Sequence, residues 1–311
     1  WKINTYSLGE TIMPISKINL TSGIAGVLPS ANATYSTSRK NTQPLIINGD
    51  MAVAQRNTGT VAQADGSNEG YATVDRMQTT FGNSAGGTIT TSRDTTAPTG
   101  FGQSMKFDVT SADTSVDSTH IVYTEHTLEA QTIRNSGWDY TSSSSYLTLS
   151  FQIRSSKTGT YCVYLQTNDG TAYQYTQEYT ISSADTWEQK VLTFPGNSNL
   201  TFNNDNGKGL IVAWVWAVGS GRYGSAGSWT TSNAYGTSNQ VNFLDNTSNV
   251  AYITGVQLEV GQFTSSTLPP FQHENYGENL KRCQRYFWKA DTSTNARPFC
   301  MGRYWSADNV G

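Results

Sequence analysis

Residues Tyr146–Arg154 (YLTLSFQIR) alternate strictly. Leu147, Leu149, Phe151 and Ile153 fall on one face, and Tyr146, Thr148, Ser150, Gln152 and Arg154 on the other. A period of two is that of an extended chain half-buried in an antiparallel sheet. TYCVYLQT repeats the pattern with Tyr161, Val163 and Leu165 inward. In ITGVQLEVG, Val256, Leu258 and Val260 point one way, with Gln257 and Glu259 opposite. Leu210–Val218 (LIVAWVWAV) is apolar at every position, which predicts a central strand covered on both faces. Another layer or another subunit would cover it, and Trp214 and Trp216 are its candidates for subunit packing.

Further strands are predicted at LIINGDMAVAQR from Leu45, at Tyr71–Phe81 (YATVDRMQTTF), at MKFDVT and at HIVYTEHTLE. Asn48-Gly49-Asp50 interrupts the first of these and suggests a bulge. Polar clusters such as NDG, NSN, NDNGKG and DNTSN separate the runs. Many short alternating strands with polar turns predict a mainly β chain, an antiparallel jelly-roll sandwich over residues 44–268.

The period changes after the last of these strands. From Asn275 to Trp288, Tyr276, Leu280, Cys283 and Phe287 recur at helical spacing and make one apolar face, with Lys281, Arg282 and Arg285 off it. So short a helix is marginal alone, so it docks on the sandwich or packs against symmetry mates through those four residues. Residues 269–290 therefore read as loop and amphipathic helix. Residues 291–311 begin a small β region, with one more strand at Pro298–Ala307. Residues 1–43 read as an extended attachment and stalk segment. Residues 1–12 fit nothing that follows, and Met13 resembles a natural start. Leu20–Asn32 (LTSGIAGVLPSAN) is too small and polar to build a core of its own.

Composition sharpens this picture. Charged residues are 14 % of the 311, against roughly 25 % in ordinary soluble domains, and the net charge is -3. Seventeen Tyr and eight Trp, with little Glu and Lys, favour half-buried strands over helices. No Lys/Arg cluster exists to capture nucleic acid. No apolar run approaches the roughly 20 residues of a membrane-spanning helix, so no membrane insertion is expected. Cys162, Cys283 and Cys300 are odd in number and widely spaced, which fits reduced thiols rather than a disulfide framework or zinc site.

Candidate chemistry is sparse. Gly219–Gly224 fits G-x-G-x-x-G, but the sequence after it is not helical, so a surface loop is expected. His120 and His126, with Glu125 and Glu129 nearby, read as surface polar residues rather than a zinc site. Asp139, Asp169 and Glu178 occupy ordinary turn or solvent-face positions. No catalytic residue and no cofactor are expected. Aromatic rings are the better signal. Tyr173, Tyr175 and Tyr179 share one strand face, and Tyr223, Trp229 and Tyr235 lie in the Gly/Ser-rich loop after the central strand. Their flat faces suit stacking on sugar rings, or packing between subunits.

NGDMAVAQR, together with the run from ITGVQLEVG through PFQHENYGENLKRCQRYF, resembles the jelly-roll domain of bacteriophage tail-fibre and virion appendage proteins. LTSGIAGVLPSAN resembles the linkers of their stalks. The resemblance spans residues 13–305. It implies a non-enzymatic virion protein assembled in the host cytoplasm as a homotrimer. The N-terminal segment would join other virion proteins, and the body would adhere to a host surface polysaccharide. Two alternatives remain: a tailspike-type polysaccharide hydrolase with paired carboxylates, and a capsid decoration or tail adaptor with no receptor role. The opening strand also resembles that of carbohydrate-binding jelly rolls, where an acidic residue helps to hold a structural calcium. Asp50 is the counterpart here, although Gln257 and Glu259 replace the paired aspartates of the last strand. Capping of its own turn is the other reading of Asp50.

Overall fold

The computed structural model describes residue 41 and residues 43–289. Most of the expected stalk and the β region at 291–311 lie outside these residues. Two six-stranded antiparallel sheets face each other. The first joins β1 (Val61–Gln63), β3 (Thr88–Asp94), β4 (Ser104–Ser111), β12 (Val250–Val260), β6 (Tyr146–Ser155) and β9 (Glu188–Pro195), in that order. The second joins β11 (Trp229–Thr230), β8 (Gln174–Ile181), β7 (Gly159–Thr167), β10 (Lys208–Val218), β5 (Ile121–Glu129) and β2 (Met77–Gly82). Among the described residues two short α-helices accompany them, α1 (Ala130–Arg134) and α2 (Tyr276–Gln284). The chain is thus the mainly β sandwich that its alternation predicts.

The inward faces are those read from period two. Leu147, Leu149, Phe151 and Ile153 of β6, Tyr161, Val163 and Leu165 of β7, and Val256, Leu258 and Val260 of β12 are all buried between the sheets. Trp214 and Trp216 join them at 0 % exposure. Trp214 meets Phe151 edge to face at 5.6 Å, and Trp216 lies 4.4 Å from Phe107 while its Nε1 donates to Thr124 Oγ1 at 2.9 Å. These two tryptophans are therefore core, not subunit surface, because alternation along β10 turns both toward the facing sheet. Its other face, Ile211, Ala213, Val215 and Val218, forms a second cluster with Ile121, Cys162 and Tyr164. Tyr235 packs on that cluster, so the chain's own loop after β10 supplies cover that the sequence left open between a layer and a subunit.

Three expectations change. Residues 45–54 form no strand. The Asn48 amide supplies the bonds that a ladder would have made: Nδ2 donates to Val53 O and Asp75 O, and Oδ1 accepts from Val53 N, each at 2.9 Å. Asn48 and Met51 have left-handed φ of 61° and 58°. Gly49 is required here, since a Cβ would stand 2.1 Å from Val256 O. Leu45, Ile46, Met51 and Val53 still bury their side chains. Second, of Tyr71–Phe81 only the end is strand, because Arg76 turns the chain at φ 73°. Third, Gln257 and Glu259 lie on the outer face of β12 but are only 6 % exposed, and Gln257 Nε2 donates to Pro269 O at 3.1 Å.

Helix α2 docks on its own chain through Asn279 and Cys283, of which only Cys283 belongs to the apolar stripe. Asn275 caps it, accepting from Gly277 N at 2.9 Å. Its buried residues are Asn279 and Cys283, whereas Leu280 is half-buried and Tyr276 is 56 % exposed. Asn279 Nδ2 donates to Asp50 Oδ1 at 3.1 Å. Arg282 donates to Pro44 O at 2.7 Å and to Glu274 at 2.6 Å. The helix ends at Gln284, so Phe287 lies beyond it, with the Arg56 guanidinium 3.6 Å from its ring. The Arg76 guanidinium lies 3.5 Å from the Tyr286 ring. The seat is polar, which is why arginines and an asparagine, rather than the apolar stripe, make the contact. Of the four residues expected to pack subunits, Cys283 is consumed within the chain and Phe287 is half-covered. The thiols of Cys162 and Cys283 are free and buried, and burial pushes them up to about 11 and about 12. Among the described residues no helix is long and apolar enough to cross a membrane.

Candidate functional site

The outer face of the second sheet gathers polar and aromatic side chains from five strands. Alternation along β5 turns Tyr123, Glu125, Thr127 and Glu129 away from the core. Register then sets Gln78, Glu125, Ala213, Tyr164 and Thr176 in one transverse row, and Thr127, Ile211, Gln166 and Gln174 in another. Tyr123 and Tyr164 meet edge to face at 5.7 Å, and Tyr235 meets Tyr164 at 5.1 Å. Gln174 Nε2 donates to Gln166 Oε1 at 2.8 Å, while Gln174 Oε1 has no hydrogen-bond partner among the described residues. Burial pushes the Tyr123 hydroxyl up to about 12. Glu125 is 2 % exposed, with Lys208 at 3.8 Å as its cation among the described residues. Burial raises its carboxyl, with Lys208 opposing.

A cleft of about 500 Å³ opens where Glu129 ends this face. Its walls are the entering chain at Gln43–Ile47, helix α1 with Gln131, Thr132 and Asn135, and the α2 end with Arg282, Arg285 and Tyr286. Glu129 is clamped there. Arg285 Nε and Nη2 each donate at 2.9 Å to its two oxygens, and Gln131 Nε2 donates at 2.6 Å. Burial alone would raise the Glu129 carboxyl, but bonds from Arg285, Gln131 and Tyr286 outweigh it and hold it below the usual range. The pair is ionised near neutrality, so Glu129 has no proton to lend. The cleft thus offers amides, a hydroxyl, a tyrosine ring and guanidinium donors whose charge is largely matched.

The residues singled out by sequence take other places. Odd positions of β8 point inward, so Tyr175 and Tyr179 are core, and Tyr173 is packed against it. Tyr175 lies 5.4 Å from Phe194. Tyr175 and Tyr179 are therefore core rather than surface platforms, while Tyr173 stays half-buried. Trp229 pairs with Tyr175 across β11 and β8 and donates Nε1 to Pro195 O at 2.7 Å, which pins it half-buried. Tyr235 lies edge-on over Tyr164. Tyr223, at 39 % exposure, is the most exposed of the six. The sequence pattern did not mark Tyr123, Tyr164 and Gln166 as site residues, and Glu125, expected on the surface, is buried. The alternation of HIVYTEHTLE and TYCVYLQT did carry their facing, but not their juxtaposition.

Other polar candidates are structural. His126 is buried rather than on the surface, with Nε2 3.2 Å from Ile47 N and 3.1 Å from Ile47 O. Burial first, then Arg76, pushes its imidazole well below the usual value. Asp169 accepts from Asn203 N and Nδ2 at 2.9 Å. Glu178 accepts from Thr237 and Asn239. Gly219 leads into a single turn, Ser220–Arg222, so no helix N-terminus faces that glycine motif. Asp50 Oδ1 accepts from Ala52 N at 3.4 Å and from Asn279 Nδ2. Two donors converge on that oxygen. Asp50 thus caps its turn and anchors α2.

No protein-family model and no curated protein matches the chain. Among solved structures it is similar to a family 11 carbohydrate-binding module from Clostridium thermocellum, at 14 % identity over 67 % of this chain and 98 % of that one, TM-score 0.34. It is similar to a family 30 carbohydrate-binding module at 11 % identity, over 75 % and 95 %, TM-score 0.33. It is also similar to the enzymatically active domain of tailspike protein 4 of bacteriophage CBA120, at 12 % identity over 70 % of this chain and 21 % of that one, TM-score 0.33. At these scores the likeness adds nothing to the sandwich read from the strand pairing itself.

Proposed function

We propose that the protein is a non-enzymatic part of a bacteriophage virion, a tail fibre or similar appendage, that adheres to a host surface polysaccharide. The observation that carries the binding reading is the cleft at the end of the second sheet, where hydrogen-bonding groups with matched charges line about 500 Å³. That size is within the range of small-molecule sites. Neutral sugar hydroxyls need many directed donors and acceptors and little net charge, which this lining supplies. The clamped, ionised Glu129 speaks for holding a sugar rather than protonating a leaving group. The resemblance of NGDMAVAQR and of ITGVQLEVG through CQRYF supports the virion setting. In that setting the N-terminal segment attaches to other virion proteins after assembly in the host cytoplasm.

Each exchanged hydrogen bond is worth only about 0.5–1.5 kcal/mol net, so one domain binds weakly. A homotrimer would present three such domains, and linkage raises avidity by about 10²–10⁴. Labelled protein is expected to adhere to host cells and to lose adhesion in an Asn135→Ala/Arg285→Ala variant. Oligosaccharide released from purified host polysaccharide would overturn the non-enzymatic reading. A monomer by sedimentation would overturn the trimer.

A further inference from the structure

The outer face of the first sheet carries a second ordered row. Tyr252 of β12 stands between Arg154 of β6 and Lys106 of β4, and Lys106 stands beside Ser92 of β3. Trp187 lies opposite Arg154, one step beyond the paired Ile153 and Glu188. The row therefore crosses five adjacent strand positions on the face away from the core. Both rings are half-buried, 6.2 Å apart and tilted by 56°. The Arg154 guanidinium lies 5.4 Å from the Tyr252 ring.

Each cation brings its own acid. Arg154 Nη2 stands 3.1 Å from Asp185, and its Nε donates to Asp185 O at 2.8 Å. Lys106 Nζ stands 2.9 Å from Asp108. The row has two cations and two carboxylates, so its local charge is matched. Strands stand about 4.8 Å apart, so Trp187 to Lys106 spans about 14 Å, the reach of a short run of sugar rings. A polyanion would need unmatched cations, and a stable protein partner would need a wider apolar core. Ring faces alternating with fixed N–H donors suit the C–H faces and hydroxyl edges of a sugar chain.

We propose that this row is a second, independent carbohydrate surface that takes a chain of neutral polysaccharide across the strands. It rests on the glycan-binding reading above and extends it, because outer faces of opposite sheets point apart. One domain then bridges two polysaccharide chains.

Affinity electrophoresis in gels containing galactomannan, dextran or mixed-linkage β-glucan, with alginate as the polyanion, tests this. Retardation in at least one neutral gel is expected. In a Trp187→Ala/Tyr252→Ala variant it should fall about tenfold, equivalent to about 1.4 kcal/mol. Tyr252→Phe keeps the ring and should keep the retardation, which guards against a folding artefact. The proposal is overturned by no retardation in any neutral gel, by retardation in alginate alone, or by an unchanged double variant. It is overturned as well if the double variant changes sedimentation, since the row then packs against a second copy. Retardation lost in Asn135→Ala/Arg285→Ala but kept in the row variant would retain the cleft and remove the row. The reverse would retain the row and remove the cleft.

Discussion

The Arg285–Glu129 clamp allows a quantitative test, because it closes the cleft and fastens α2 to β5. Two bonds of 2.9 Å join the guanidinium to a carboxylate whose side chain is 9 % exposed, while the arginine side chain is 55 % exposed. Bonds to charged groups contribute about 1.5–3 kcal/mol when sheltered, but exposed ion pairs give about 0.2–1 kcal/mol. With bidentate geometry and one buried partner, a coupling of about 1 kcal/mol is expected. Arg285→Ala alone should cost somewhat more, about 1.5–2 kcal/mol, because it leaves a buried carboxylate with only Gln131 and Tyr286 as donors. The assay is a double-mutant cycle of Arg285→Ala and Glu129→Ala by urea unfolding. Each kcal/mol should also move Tm by about 2–4 °C. The sign with pH follows from the depressed Glu129 value. The stabilisation is present above the unfolded value of 4.5 and is lost as pH falls through the lower folded value. In about 1 M salt the coupling should shrink. A coupling of zero at neutral pH and low salt, or one that persists undiminished at about pH 2, would refute the reasoning.

Three further outcomes follow from buried groups. Glu125 has a raised folded value, so its contribution is full below the unfolded 4.5 and is lost as pH rises through the folded value; Glu125→Gln should therefore raise Tm at neutral pH, with the gain vanishing below about pH 4, and a destabilised variant at pH 7 would contradict this. His126 has a depressed value, so stability present above the unfolded 6.5 should decline as pH falls from there toward the folded value; a flat wild-type Tm between pH 7 and pH 5, or the same slope in His126→Gln, would count against it. Trp214→Ala should cost about 3–5 kcal/mol in urea unfolding and leave any oligomer intact; dissociation without loss of monomer stability would restore this residue to an interface.

Much of the sandwich was legible along the chain. Leu147, Leu149, Phe151 and Ile153 face inward because side chains of an extended backbone alternate, whatever surrounds them. The doubly apolar Leu210–Val218 announced a covered central strand for the same reason. The helical spacing of Tyr276, Leu280 and Cys283 located α2, with its start marked by the cap at Asn275. Aromatic residues by themselves misled, since Tyr175 and Trp229 look like sugar platforms until register shows one in the core and the other tied to Pro195 O.

What the sequence determined by itself was therefore local: period, facing, turns and the cap, all set by backbone geometry within a few residues. Only tertiary structure decided what met what. Asn48 takes the place of a ladder because Val53 and Asp75 come within reach of its amide. Tyr235 covers β10 because a loop folds back, and the buried face of α2 is polar because Pro44, Asp50 and Glu129 wait beneath it. The site rows depend on strand order and register, which join side chains as far apart as Gln78 and Tyr164, or Lys106 and Tyr252. Those pairings are fixed by long-range hydrogen bonding and core complementarity, and no short window of residues contains them.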